Sequence, residues 1–286
     1  METVINLTRQ MANEVAIDLE KLLTKHSSIS RRQPQRKATI LRLYWNELDV
    51  PGRQLQAKAL KNYKMYSSIV RTLLQGQPSH DIRRLDDSER IVNEVIECHG
   101  VTNITSTQEA LRKALDAVGV QTELLASLYQ PTTSPVVFVP DTNALLYNPS
   151  IEDWRFTQAP KFRIVLTPTV LSELDQLKVT YRTEDVRKKA ESLITRIKGY
   201  RSRGRLTEGV TLVRDVSELF ALSVEPDFDH TLPWLKPDNN DDQIIASLIE
   251  VMRSYPSSAV ILITRDLNLQ NKAEFARLPF CEPPSP

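Results

Sequence analysis

Glycine is scarce, seven residues in a chain of 286, and no Gly-rich run follows any apolar stretch. That excludes the phosphate-cradling loops of nucleotide-binding folds, where bare backbone must approach the phosphates. Gly-x-Ser-x-Gly is absent too, which removes the strained serine turn of the α/β-hydrolases. The two cysteines, Cys98 and Cys281, stand far apart without CxxC or Cys/His spacing, so neither a disulfide framework nor a structural zinc site is supported. Long apolar runs are also missing: residues 136–139 and 260–263 are the most apolar segments and are far too short to span a bilayer. The first residues, Met-Glu-Thr-Val, lead into no basic-then-apolar stretch of the secretory kind. The expectation is a protein neither secreted nor membrane-bound, in a reducing, cytoplasmic setting.

The composition that remains, 41% hydrophobic and 26% charged, is that of a globular chain with enough apolar material for a sizeable core. A net charge of +1 conceals an asymmetry: residues 1–84 hold 15 Lys/Arg against 7 Asp/Glu, and the rest hold 22 against 29. A basic docking module beside an acidic one produces that split, and so does ordinary variation of a solvated surface.

Helical periodicity dominates the first part. Val4, Leu7, Met11, Val15, Leu19 and Leu22 recur at three- and four-residue spacing, and Ile40, Leu43 and Leu48 open a second stretch. Residues 27–34 read as a polar, basic connection, Pro51-Gly52 and Gly76-Gln77-Pro78 as turns, and residues 88–98 and 107–128 as further helices. Residues 1–130 are therefore expected to form an α-helical domain of unknown task. Residues 131–135, Pro-Thr-Thr-Ser-Pro, punctuate the chain, and from residue 136 the pattern changes. Strand-like runs at 136–139, 162–166, 210–213 and 260–263 alternate with helical ones at 168–177, 184–200 and 241–252. Apolar strands alternating with helices predict an α/β domain over residues 131–286, with a central parallel sheet covered on both faces.

In such sheets ligands bind at the carboxyl ends of the strands, and here the residues at those ends are acidic. Asp141, with Thr142 and Asn143, follows the first run, and Asp266, with Thr264, follows the last. Glu173 lies about one and a half turns into the helix after the second run. Asp241 and Asp242 fall in the first turn of another helix. Singly, each is explained as a helix cap, a dipole-favoured first-turn acid or a solvated side chain. Together at one edge they would repel one another unless cations neutralised them, and hard oxygen ligands without His or Cys suit Mg²⁺ or Mn²⁺. Paired divalent ions can activate water and stabilise the leaving oxygen in phosphodiester hydrolysis.

These blocks, Val-Pro-Asp141-Thr-Asn143, Ser172-Glu173-Leu-Asp-Gln-Leu, Asn240-Asp-Asp242-Gln-Ile-Ile-Ala and Leu-Ile-Thr264-Arg-Asp266-Leu-Asn-Leu, resemble in their order the PIN-domain superfamily of nucleases over about residues 135–282. The resemblance implies a three-layer α/β/α fold and metal-dependent endonuclease activity, most often on single-stranded RNA. It implies metal ligation by Asp141, Glu173, Asp242 and Asp266. Asp242 is favoured over Asp241 because it opens an Asp-x-x-Ile-Ala pattern. Thr142, Asn143, Asp241 and Thr264 become auxiliary residues.

Nucleic-acid contacts are expected from Arg201, Arg203 and Arg205, at the end of a basic stretch running from Tyr181. In the first domain Arg42, Tyr44, Trp45, Lys58, Lys61, Tyr63, Lys64, Tyr66 and Arg71 mix cations with aromatics, as a base-stacking surface or an aromatic core would. A protein partner or inhibitor on residues 1–130, and a homo-oligomer, are compatible with this layout. Two rivals remain: an aspartyl-phosphate phosphatase, disfavoured because position 143 is Asn, and a non-catalytic PIN-like nucleic-acid-binding or assembly module.

Overall fold

The structure, a computed structural model, describes residues 3–32, 41–129, 134–180 and 184–286, without the side chains of residues 179 and 180. The chain divides into two compact units, Thr8–Ser127, and Met1–Leu7 with Leu128–Pro286. Residues 130–133, which hold most of the expected boundary, lie outside the described residues, as do Ile40, Tyr181 and Arg182. Among the described residues no helix is long and apolar enough to cross a membrane.

The first unit takes up helix α1 (Val4–Lys25) from Thr8 onward, then strands β1 (Ile29–Arg32) and β2 (Arg42–Trp45), helices α2 (Val50–Leu73) and α3 (Ser79–Glu97), strand β3 (Val101–Thr102) and helix α4 (Thr107–Leu128) as far as Ser127. Helix α2 starts where it does because the Asp49 side chain accepts the Gly52 amide at 2.7 Å and Pro51 has no N–H to leave unpaired. Its core is made of Leu19, Leu22 and Leu23 of α1, Tyr63 and Tyr66 of α2, and Leu85 and Ile96 of α3, all fully buried. The three strands form an antiparallel sheet in the order β1-β2-β3, with Ser30 opposite Tyr44 and Tyr44 opposite Val101. The helical reading that included Leu43 is thus corrected to a strand. Ile29-Ser-Arg-Arg offers one apolar residue to read, and the partner of β2 on its other side comes from some sixty residues away.

The second unit holds strand β4 (Val136–Pro140), helix α5 (Thr142–Tyr147), strand β5 (Phe162–Leu166), helices α6 (Pro168–Thr180) and α7 (Glu184–Arg201), and strands β6 (Val210–Val213) and β7 (Ser217–Ala221). Helix α8 (Asn240–Ser254), strand β8 (Val260–Ile263), helix α9 (Leu267–Phe275) and strand β9 (Phe280–Cys281) complete it. The strands make one sheet in the order β6-β7-β5-β4-β8-β9, parallel throughout except for the β6–β7 pair. Every residue of β8 and the last four of β4 are buried, so both faces of the sheet centre are covered. The order fixes the site: from β4 the chain winds outward through β5, then returns to lay β8 on β4's other side. At such a reversal the loops leaving neighbouring strands diverge and open a crevice at their carboxyl ends.

Candidate active site

The crevice between β4 and β8 is where Asp141 and Asp266 emerge. The Asp141 amide donates to the Ile263 carbonyl at 2.9 Å, so the end of one strand is tied to the end of the other. The Asp141 carboxylate is buried, 2% exposed, and caps α5 by accepting the Ala144 amide at 2.6 Å. Its second oxygen accepts the hydroxyl of fully buried Thr264 at 2.5 Å, and that hydroxyl in turn accepts the Asp266 amide at 2.9 Å. Asp266 caps α9 through the amides of Asn268 and Leu269. Both acids therefore do the capping work that their sequence position suggests, and both also face an open cleft of about 530 Å³.

Glu173 of α6 and Asp241 in the first turn of α8 line the same cleft. Glu173 accepts the Thr142 hydroxyl at 2.5 Å with one oxygen and the Asn240 amide group at 2.7 Å with the other. Asn143 is exposed and reaches Asp266 at 3.4 Å, a marginal contact. Asn240 is a cleft residue to which sequence reasoning gave no role. It was legible only as one letter of the Asn-Asp-Asp block.

Asp242 does not line the cleft. It is 5% exposed, accepts the Lys272 ammonium at 2.7 Å and the Lys236 amide at 3.0 Å, and is thereby used up inside the unit. Of the two neighbours it is Asp241, and not the expected Asp242, that stands on the cleft wall. On α8, Asp241 and Ile244, three residues apart, both line the cleft, whereas Asp242 and Ala246, four apart, are both buried away from it. Lys272 contacts both acids, at 3.2 Å to Asp241. Burial lowers its pKa, and the hydrogen bonds and charges of Asp242 and Asp241 more than offset that and raise it.

Burial pushes the Asp141 carboxyl up to about 6, against the hydrogen bonds from Thr264 and Ala144, and the charges of Asp266 and Glu173 push the same way. As the side chains stand, however, no three His, Cys, Asp or Glu among the described residues converge on one metal position. The close four-acid cluster expected from the sequence is not what they form. The carboxylates of Asp141, Glu173, Asp241 and Asp266 lie on the walls of the cleft, bonded to hydroxyls, amides and, at Asp241, Lys272. Their chemistry still fits a hard divalent ion: all donors are oxygen, and the two Asp141 oxygens each carry one further lone pair.

The predicted nucleic-acid residues fall elsewhere. Arg201 ends α7, Arg203 lies over the Tyr200 ring at 5.2 Å, and Arg205 pairs with Glu208 at 3.0 Å. None lines the cleft; the cation of α7 that does is Lys189, twelve residues and so about 18 Å of helix before Arg201. In the first unit Trp45, Tyr63 and Tyr66 are buried, and Lys58 and Arg71 are tied to Asp18 and to Asp86 and Glu89. Those aromatics belong to a core and not to a stacking surface.

Comparison with known proteins agrees with the placement of the fold. A search of curated proteins returns no match. The family profile described as PIN domain matches residues 138–282, just over half of the chain, from the third residue of β4 to just past β9. Members of that family are generally nucleases and typically use divalent metals such as Mg²⁺ or Mn²⁺. With the mostly parallel sheet, the crevice at its reversal and the family's sequence pattern all falling on the same residues, the chain belongs to the PIN-domain family.

Proposed function

We propose that this protein is a divalent-metal-dependent endonuclease that hydrolyses phosphodiester bonds in single-stranded RNA, with Asp141, Glu173, Asp241 and Asp266 as the acids of the site. The observation that carries the reading is the meeting of these four carboxylates, from four different elements, on the walls of one open cleft. A bound Mg²⁺ or Mn²⁺ would supply Lewis-acid stabilisation of charge on the phosphate and lower the pKa of water beside it. The chain's own residues hold that chemistry in place. Thr264 fixes the rotamer of Asp141, Thr142 and Asn240 fix that of Glu173, and the caps on α5 and α9 fix the backbone from which Asp141 and Asp266 project. To take up a cation, Asp141, Glu173 and Asp266 would exchange neutral hydrogen-bond partners for the ion, and Asp241 would give up the Lys272 ammonium. The carboxylates position and polarise; none is needed as a covalent nucleophile.

The lack of convergence on one ion position favours a second reading, a non-catalytic nucleic-acid-binding or assembly module. Incubating the full chain with labelled single-stranded RNA and Mn²⁺, beside the same reaction in excess EDTA, separates the two. Cleavage that stops in EDTA is expected. Cleavage that continues in EDTA, or none in either, would overturn the proposal.

A further inference from the structure

Arg265 stands between Thr264 and Asp266, so its backbone is held at the carboxyl end of β8 by the contacts that position Asp141 and Asp266. Its side chain is exposed, and its guanidinium carbon lies 3.9 Å from the centre of the Tyr147 ring. Tyr147 is the last residue of α5 and lines the cleft. A separation of 3.9 Å is van der Waals contact, well inside the range of about 6 Å over which a ring face attracts a cation. Stacking occupies a face of the planar guanidinium and leaves its in-plane N–H donors for other work. Among the described residues the Arg265 side chain has no hydrogen-bond or ion-pair partner, and it lies on the Tyr147 ring.

Arg265 does not itself line the cleft but adjoins it through Tyr147 and Asp266, which do, and the cations nearest the acids are already paired. Lys189 pairs with Asp185 at 3.1 Å, and Lys272 is shared between Asp241 and Asp242. The acid next to Arg265 in the chain is Asp266, and the arginine makes no ion pair with it. Asp266 spends its oxygens on the α9 amides and on Asn143. The arginine is thus restrained by the ring while its planar fork of donors stays open, which suits a phosphate taken through two parallel hydrogen bonds. A lone anion would meet the repulsion of the neighbouring carboxylates. A phosphate that belongs to a strand already engaged at the acids is delivered there by its neighbour.

The geometry points to Arg265 as the clamp for a backbone phosphate adjacent to the one at the acids, with Tyr147 as the positioning residue that holds the guanidinium in place. This rests on the reading of the cleft as a nucleic-acid site. Tyr147 then acts through its ring face, not its hydroxyl, and not through a base stacked on it.

The test is the affinity of the full chain, carrying Asp141→Asn to prevent cleavage, for a fluorescent single-stranded oligouridine over a series of salt concentrations in the presence of Mn²⁺. Arg265→Ala is expected to weaken binding about tenfold or more and to lower the slope of log affinity against log salt by about 0.7 to 1. Tyr147→Phe keeps the ring and should bind as the parent does. Tyr147→Leu should weaken binding, and Tyr147→Leu combined with Arg265→Ala should be no weaker than Arg265→Ala alone. An Arg265→Ala variant with unchanged affinity and salt slope overturns the clamp, and additive losses in the double variant overturn the coupling to Tyr147. If the parent chain binds no oligonucleotide at all, the nuclease reading itself falls, a failure distinct from normal binding that ignores Arg265.

Discussion

Two aspartates are buried to almost the same degree in the two units of this molecule, Asp18 at 1% exposure and Asp141 at 2%, and they are treated in opposite ways. In the helical unit Asp18 meets a full counter-charge, the Lys58 ammonium at 2.8 Å, and its other oxygen accepts from Asn62 at 2.7 Å. In the sheet unit Asp141 meets a hydroxyl and a backbone amide, no cation, and the charges of Asp266 and Glu173 nearby. Burying an ionised carboxylate without a counter-charge costs on the order of several kcal/mol, a cost the group escapes only by taking up a proton. The first arrangement is closed and serves stability. The second leaves charge uncompensated at an open cleft, which makes sense where a cation is to be taken up.

The comparison breaks most visibly in activity. Asp141→Asn should reduce Mn²⁺-dependent cleavage of single-stranded RNA at least about 100-fold, as expected for loss of a metal-holding carboxylate. Asp18→Asn should leave the rate per folded molecule near that of the unsubstituted protein. A comparable loss in both would end the distinction.

In stability the same exchange of Asp for Asn should change sign between the two positions. Asp18→Asn strips Lys58 of its partner and should destabilise by about 2 kcal/mol, on the scale of a charged hydrogen bond. Asp141→Asn should stabilise the metal-free protein at pH 7.5 by about 1–2 kcal/mol, part of the burial cost implied by a carboxyl raised from 3.8 to about 6. Urea titrations without metal test both signs, and destabilisation by Asp141→Asn would contradict the account.

The pH dependence sharpens the point. Because Asp141 has a higher pKa folded than unfolded, the folded state holds the extra proton between about 4 and 6. Its contribution to metal-free stability is therefore full below about pH 4 and lost as pH rises through about 6. Asp141→Asn should remove that segment of the stability profile. Activity should run the other way, falling as the solution is acidified below about 6, since a protonated carboxyl holds a cation poorly. The smallest effect is expected far from the cleft: replacing Arg201, Arg203 and Arg205 by Ala should weaken binding of an oligonucleotide less than about twofold each, near the value of an exposed charge. Larger losses would restore the end of α7 as the nucleic-acid surface.

What could be read from the sequence divides along physical lines. Strands β4 and β8 were legible because a strand buried on both faces must be continuously apolar, and their acidic ends followed from the rule that crevices open at the carboxyl ends of parallel strands. The choice between Asp241 and Asp242 was not, because both occupy the first turn of α8 and nearly every residue from 242 to 249 is buried. No apolar stripe marks which way the helix is turned, and rotation by one residue exchanges the cleft face for the core face. Lys272, which claims Asp242, comes from α9, thirty residues on. Strands β1 to β3 were hidden because their pairing is non-local, and the aromatics Tyr63 and Tyr66 left two readings open because a core and a stacking platform draw on the same residue types. The unpartnered Arg265 could not have been singled out among 37 Lys and Arg, since what distinguishes it is that its side chain pairs with no acid among the described residues, not even the neighbouring Asp266.

The most direct test of the site is the rate of Mn²⁺-dependent cleavage of single-stranded RNA by Asp241→Asn beside Asp242→Asn, each corrected for the folded fraction. The account predicts a loss of at least about 100-fold for Asp241→Asn, which removes a carboxylate from the cleft wall. For Asp242→Asn it predicts a loss below about tenfold, with lower thermal stability from the weakened Lys272 contact. The reverse order, with Asp242→Asn inactive and Asp241→Asn near full rate, would contradict it.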